Sequence, residues 1–339
     1  MLFLKISDYL NRVVVSTGNL TAGDWIIWSN GMWFKDFPKK SLMKKIPEKK
    51  QVPPEEIDLD GDFITTLKFY LQQIMPSKIN YTDLLGFSLD DYYISDIDIV
   101  LIPSLPGRFK DGDFDKYGHR KIGSVIRKLI PKPNKEKPKK WVCTYQTSSM
   151  GSITEKYIKE FLGSVLPHYI SLDQLKAESK YKGGITPSGD MLLKRIRIVY
   201  PTKDYVQNCI EGPQYSGCLL LSPDNYQKPT FPRTIFHQFQ GPDDYYYHEG
   251  IIAHIKVFIV TDESGEIDDD SYIYFGSHNF SPSAWGKYEK DYTQFTMSHS
   301  ELGVLIPPKK GKGFYSKLLV NFCFRLEREK NGFGEKFAF

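Results

Sequence analysis

In the segment AHIKVFIV, His254 and Lys256 stand two residues apart in a run whose β-branched and aromatic content predicts a strand. The strand period would turn both side chains to one face. Twenty-three residues after Lys256, Asn279 follows the apolar run YIYFG, where a hairpin return would bring its amide beside the other two. An imidazole, an ammonium and an amide at one point suit an oxyanion: the imidazole can move a proton or attack phosphorus, and the other two can hold phosphoryl oxygens. Alone, His254 would read as an ordinary structural or surface histidine. The pairing with Lys256 and the segment GSHNFSPSAWG make the functional reading the stronger one.

The elements that must position these residues include a repeat. VVVSTGNLTAGDW, Val13 to Trp25, and IYFGSHNFSPSAW, Ile273 to Trp285, share an apolar strand, a small polar turn, an Asn and a Trp six residues later. Two similar halves facing each other would write such a pattern, with Asn19 and Asn279 as equivalent asparagines. Other predicted strands are Arg12–Ser16, Asp96–Ile102, WVCTYQ and KRIRIVYP, the last ending at Pro201. GDFITTLKFYLQQIM spaces Phe63, Leu67, Tyr70, Leu71 and Ile74 as a helix, and the helix after QTSSMGS would bury Tyr157, Phe161, Leu162 and Val165. Ser152 and Glu155 match a capping box. Strands alternating with helices argue an α/β fold.

The 339 residues carry 45 Lys and Arg against 41 Asp and Glu, a net charge of +4, so bulk charge makes no case for nucleic acid. Basic runs lie at Lys35–Lys50 and Arg127–Lys140, and acid gathers at Asp262–Asp270. Each reads first as a solvated loop, with phosphate attraction as the alternative. Pro131–Lys140 reads as a surface loop, and a loop-rich stretch runs on from Pro201 to Gly250. The four cysteines, Cys143, Cys209, Cys218 and Cys323, have no zinc-ligand spacing and read as free thiols of a reducing compartment. The opening MLFLKISDYL lacks a secretory apolar core, and no apolar run reaches the ~18 residues of a membrane span. A soluble intracellular protein without metal or cofactor is expected.

The quoted motifs resemble a known family. His-x-Lys followed by Gly-Ser-x-Asn is similar to the signature of the phospholipase D superfamily. Asn279 in place of the usual Asp, with SAWG, resembles the tyrosyl-DNA phosphodiesterases. RVVVSTGNL, DW before GMW, PGRF, YGHRKI, QTSSMGS, HIKVF and SELGVL extend the likeness over essentially the whole chain. The resemblance implies a two-lobed α/β/α fold with a pseudo-twofold repeat and one active site between the lobes. Residues 1–97 would be the remainder of an incomplete first lobe, and 98–339 the second.

It further implies a nuclear DNA-repair hydrolase, monomeric and metal-free, acting on the bond between a DNA 3′ phosphate and a topoisomerase I-derived tyrosine or peptide. The DNA partner would be a single-stranded or duplex end, with no membrane involved. In that family one histidine attacks phosphorus covalently, and a second, here His254, protonates the leaving tyrosine and then activates water. Lys256, Asn279 and Asn19 would bind phosphate oxygens, and Glu301 would orient the nucleophilic histidine. Ser148, Ser149 and Ser152 in QTSSMGS would grip a DNA phosphate at a helix N-terminus, or Ser152 would simply cap the helix. Asn30, where the family usually has Gln, and Arg108 complete the expected DNA contacts, with Lys110, His119 and Arg120 nearby. Ala253 replaces a frequent Pro.

None of the 18 residues ahead of Asn19 is a histidine. The nucleophile is therefore expected to be missing, with Met1 an internal position and this chain alone inactive or severely impaired. Two further readings remain: a non-catalytic module that binds blocked DNA ends, and a homodimeric phospholipase D-type enzyme.

Overall fold

The computed structural model describes residues 1–48, 52, 56–76, 79–110, 112–130, 139–179, 192–240, 250–308 and 325–327. Within the first of these, β1 (Leu2–Ser7), β2 (Leu10–Ser16) and β3 (Met32–Pro38) form an antiparallel three-stranded sheet in the order β1-β2-β3. The alternating pattern of β2 and β3 turns Val13, Val15 and Phe37 inward. Met32 and Phe34 stay about half exposed on the outer face.

The larger sheet draws on the rest of the chain. In chain order the strands are β4 (Val100–Ser104), β5 (Gly107–Lys110), β6 (Trp141–Gln146), β7 (Ser149–Met150), β8 (Ile196–Val199), β9 (Leu220–Leu221) and β10 (Phe236–Gln240). They continue with β11 (Lys256–Asp262), β12 (Tyr272–Gly276), β13 (Lys287–Glu289), β14 (Gln294–Met297), β15 (Glu301–Ile306) and β16 (Arg325–Glu327). Eight of them pair as β16-β10-β8-β6-β11-β12-β15-β4. The β6-β8-β10 pairings are parallel, whereas β6-β11-β12-β15-β4 is antiparallel throughout. The central strands are buried on both faces, as in a sheet covered on both sides.

Helices Gly118–Leu129 and Glu155–Val165 cover one face, burying Ile122, Ile126, Ile158, Phe161 and Val165 with Tyr145, Phe258 and Trp285. On the other face, helix Leu59–Ile74 and the small sheet bury Phe63, Leu67, Val13 and Val15 with Val257, Ile273 and Val304. One large sheet between two covering layers is the mixed α/β arrangement expected.

Four local expectations need correction. Asp96–Ile99 is not strand: Asp96 takes φ 55°, and the Ile97 N–H is drawn to the Asp60 carboxylate at 2.9 Å. Ile74 is 39% exposed, because it lies in the last turn beyond the reach of the sheet. The second major helix is capped by Thr154, whose hydroxyl accepts from the Tyr157 N–H, and not by Ser152. Buried Ile153 and Ile158 hold the staple positions around Thr154, so packing selects the later cap. His254 precedes β11, which begins at Lys256, so the strand alternation does not apply to it. Cys143, Cys209 and Cys218 are free and buried. Cys323, 131–138 of the Lys/Pro-rich loop, 49–50 of the first basic run and 241–249 of the Tyr-rich stretch lie outside the described residues.

Candidate active site

Topology gathers the polar residues at one edge of the large sheet. Because β11 runs antiparallel to β6 and β12, its first residue, Lys256, lies where those two strands end, at Gln146 and Gly276. For the same reason Glu301, the first residue of β15, faces Ser104 at the end of β4. Strand ends in open α/β sheets are where backbone diverges and ligands find room.

His254 is held by the first copy of the repeat and the residues that follow it. Its N–H and that of Ile255 both donate to the Ser29 carbonyl, at 2.9 and 3.0 Å, and the Ser29 N–H returns to Ile252 O at 3.0 Å. The Trp28 ring lies 5.3 Å from the imidazole. Asp24 brings Oδ1 to 2.9 Å from His254 Nδ1, at ion-pair distance though out of line for a hydrogen bond. The side chain of Asp24 is 1% exposed. Burial alone would raise its carboxyl, but the Thr21 hydroxyl (2.6 Å), the Asn19 N–H (3.0 Å) and the His254 charge hold it below the usual range. The same burial, reinforced by the Lys256 ammonium, pushes His254 down to about 4 against the pull of Asp24.

Lys256 is 3% exposed, and burial lowers it to about 8, opposed by Cys218, Glu301 and Asp24. Burial raises Glu301 to about 7, opposed by a hydrogen bond from Ser277 and by Lys256. His299 approaches Glu301 at 3.6 Å. A lysine and a carboxyl each moved toward neutrality mark a site short of counter-charge, which an anionic ligand would supply to the lysine.

Asn279 is oriented by three donors on one atom. Its Oδ1 accepts from the Ser149 N–H at 3.0 Å, the Thr147 hydroxyl at 3.1 Å and the Ser148 hydroxyl at 3.3 Å. A backbone N–H can only donate, so the carbonyl end is fixed and the NH₂ end turns away as a donor. Beneath it, fully buried His278 meets Ser104 Oγ at 2.9 Å through Nε2 and the Tyr274 hydroxyl through Nδ1. Its carbonyl accepts from the Tyr145 hydroxyl at 2.7 Å, which itself accepts from Trp285 Nε1 at 2.8 Å. His278 thus anchors the turn that presents Asn279.

The other expected site residues take different places. Asn19 is exposed, and its amide faces Asp24 at 3.5 Å. Asn30 donates to Asp24 O at 2.6 Å and accepts from Thr17 at 2.9 Å, so both ends of its amide brace the turn. Ser148 is fully buried with its hydroxyl on Asn279, so it holds that amide where a direct DNA contact was expected. Ser149 is half-buried, and Ser152 is exposed two residues ahead of the helix cap. Arg108 is exposed on β5, opposite Thr296 in the small sheet β13-β14-β5, outside this hydrogen-bonded group. His119 is fully buried against Ser164, and Arg120 pairs with Asp115, so neither joins the sheet-edge group. Sequence reasoning missed Asp24, Trp28, Thr147 and Cys218. Only Asp24 left a signal, an acid three residues after Thr21 in a capping pattern. Among the described residues no three His, Cys, Asp or Glu side chains converge as metal ligands.

A mixed α/β sheet with His-x-Lys leading one strand and the asparagine turn closing its neighbour defines a phospholipase D-type fold. The crystal structure of yeast tyrosyl-DNA phosphodiesterase superposes with a TM-score of 0.59 at 16% identity, covering 89% of this chain and 66% of that one. The family model for tyrosyl-DNA phosphodiesterase matches residues 1–333, and the chain belongs to that family. It is 30% identical over 305 residues to tyrosyl-DNA phosphodiesterase 1 of Arabidopsis thaliana, 88% of this chain and 44% of that protein. To the Drosophila melanogaster protein of the same name it is 25% identical over 321 residues, 91% and 49% respectively. The chain thus spans somewhat under half the length of these relatives.

Proposed function

We propose that this chain carries the acid-base half of a DNA-repair phosphodiesterase that releases tyrosyl groups from DNA 3′ ends. The observation that carries the reading is the meeting of His254, steadied by Asp24, with buried Lys256 at one sheet edge. Lys256, the Asn279 NH₂ and Asn19 hold the phosphate oxygens. His254 protonates the leaving phenolate and then takes a proton from water. A bound phosphate offsets the Lys256 charge that helps depress His254, so the imidazole gains its proton when substrate arrives. Separating nucleophile and acid lets one group be neutral while the other is charged.

In this reading residues 1–97 are the remainder of one lobe and 98–339 form the other, Glu301 serves the histidine nucleophile, and the protein works in the nucleus as a monomer. The nucleophile itself has no histidine ahead of Asn19 to provide it. The test is cleavage of an oligonucleotide with a 3′-phosphotyrosine, in EDTA. The 339-residue chain is expected to turn over negligibly alone and measurably with imidazole added as a nucleophile, an activity that His254→Ala abolishes. Turnover without imidazole would overturn the assignment of roles. The lack of a histidine among residues 1–18 also favours a second reading, a module that binds blocked ends. Tight binding with no cleavage even in imidazole would select it.

A further inference from the structure

Away from His254 and Lys256, a recess of about 520 Å³ opens where the helices Gly118–Leu129 and Glu155–Val165 meet the helix Leu172–Ser179. Arg120 and Arg127 both line it. Seven residues apart on one helix, they share a face about 10 Å apart along the axis.

The two guanidiniums differ in how they are satisfied. Arg120 pairs with Asp115 at 2.6 Å, yet its Nε is buried without a partner. Arg127 forms no ion pair among the described residues, although it is half-buried beside a second positive charge. Burial and then the Arg120 charge lower it, with Asp115 and Tyr288 opposing. A half-buried arginine next to another arginine and lacking its own carboxylate is an unmet demand for an anion.

The remaining walls supply both halves of a small-molecule site. Ser171 and Gln174 hydrogen-bond reciprocally at 2.8 and 3.2 Å, which fixes one polar rim. His168 is pinned by Nε2 to the Ile130 carbonyl at 2.8 Å. Tyr288, Ile170 and Leu172 give an apolar flank. The volume lies within the range of ligand pockets, and planar guanidiniums match phosphate oxygens in pairs.

We propose that this recess is a second anion site, separate from the sheet-edge site, which takes the terminal phosphate of a phosphomonoester of mononucleotide size. The phosphate sits between Arg120 and Arg127, and the organic body lies against Tyr288 and Ile170. This does not depend on the phosphodiesterase reading.

The test uses the full 339-residue chain and 5′-AMP, with adenosine and an unphosphorylated oligonucleotide as comparisons, by calorimetric titration and thermal melting. Saturable AMP binding is expected, with none for adenosine. Binding should persist in His254→Ala and weaken about tenfold or more in Arg127→Gln, the loss of a charged hydrogen bond. Should Arg127→Gln melt early, Arg127→Lys keeps charge and stem while losing the planar fork, and a severalfold weakening is expected. Three results would overturn the proposal: no saturable AMP binding, AMP binding lost in His254→Ala but unchanged in the Arg127 variants, or an oligonucleotide that needs Arg127 while AMP does not bind.

Discussion

The two copies of the strand-turn-Asn-Trp motif fold alike locally and differ in what lies beneath them. Each asparagine is followed two residues later by a helix cap: Thr21 accepts from the Asp24 N–H, and Ser281 accepts from the Ala284 N–H. Each tryptophan donates its indole N–H, but Trp25 turns back to Asn19 O at 2.7 Å and is 41% exposed. Trp285 reaches Tyr145 in the core and is fully buried. The first copy hangs from a three-stranded sheet, whereas the second closes a strand of the eight-stranded one. Local sequence specifies the turn and cap, and the sheet behind it decides how much the tryptophan contributes.

Removing each tryptophan tests that contrast most severely. Trp285→Ala is expected to cost about 3–5 kcal/mol by urea unfolding, as for a large core aromatic. Trp25→Ala is expected to cost under about 1 kcal/mol. Equal costs would mean that the first copy is as well supported as the second.

Ionisable groups attached to the two copies should respond to pH with opposite signs. His254, tied to the first copy through Asp24, is lowered from 6.5 to about 4, so the unfolded chain binds more protons between those values. Its contribution is fully present above 6.5 and lost as pH falls through about 4. Glu301, tied to the second copy through Ser277, is raised from 4.5 to about 7. Its contribution is present below 4.5 and lost as pH rises through about 7. Each effect is at most on the order of 3 kcal/mol. Stability measured from pH 4 to 8 should lose the rising limb in His254→Gln and the falling limb in Glu301→Gln. Unaltered profiles would mean that neither group is buried as described.

The Asp24 contact sharpens the same comparison. In Asp24→Asn the His254 midpoint, followed by NMR, is expected to move below about 4, because the one group that raises it is gone. An upward movement would contradict the contact. The smallest difference lies in the caps: Ser281→Ala is expected to cost about 1 kcal/mol and exposed Thr21→Ala about half that, by thermal unfolding.

How much of this was legible follows from distance along the chain. Lys256 and Asn279 could be placed at strand ends because strand and turn signals are local, and the helix from Leu59 announced its buried face by its spacing. The partnership of Asp24 with His254 joins residues far apart in sequence, and no periodicity reports it. Ser148 looked like a phosphate ligand because hydroxyls ahead of a helix usually are available. Only the contact of Asn279 Oδ1 with Thr147, Ser148 and Ser149 shows that the Ser148 hydroxyl is already engaged. Asp96–Ile99 reads as strand by composition, yet the Asp60 carboxylate and the Lys35 ammonium, which donates to Asp96 O at 2.8 Å, hold it as a loop.

The glycines beside the asparagine turn constrain how this chain can vary. Gly276 and Gly303 pair across β12 and β15, and the Tyr274 hydroxyl occupies the space that a Cβ at either one would need. A Cβ at Gly276 would also meet the Gly303 backbone, which cannot retreat. Replacement of Gly303 by alanine therefore becomes tolerable only after Tyr274 has been shortened, and Gly276 stays closed to substitution in either background. The order in which such changes can accumulate is set by one phenol side chain, so positions 274 and 303 should vary through descent as a linked pair while 276 stays glycine.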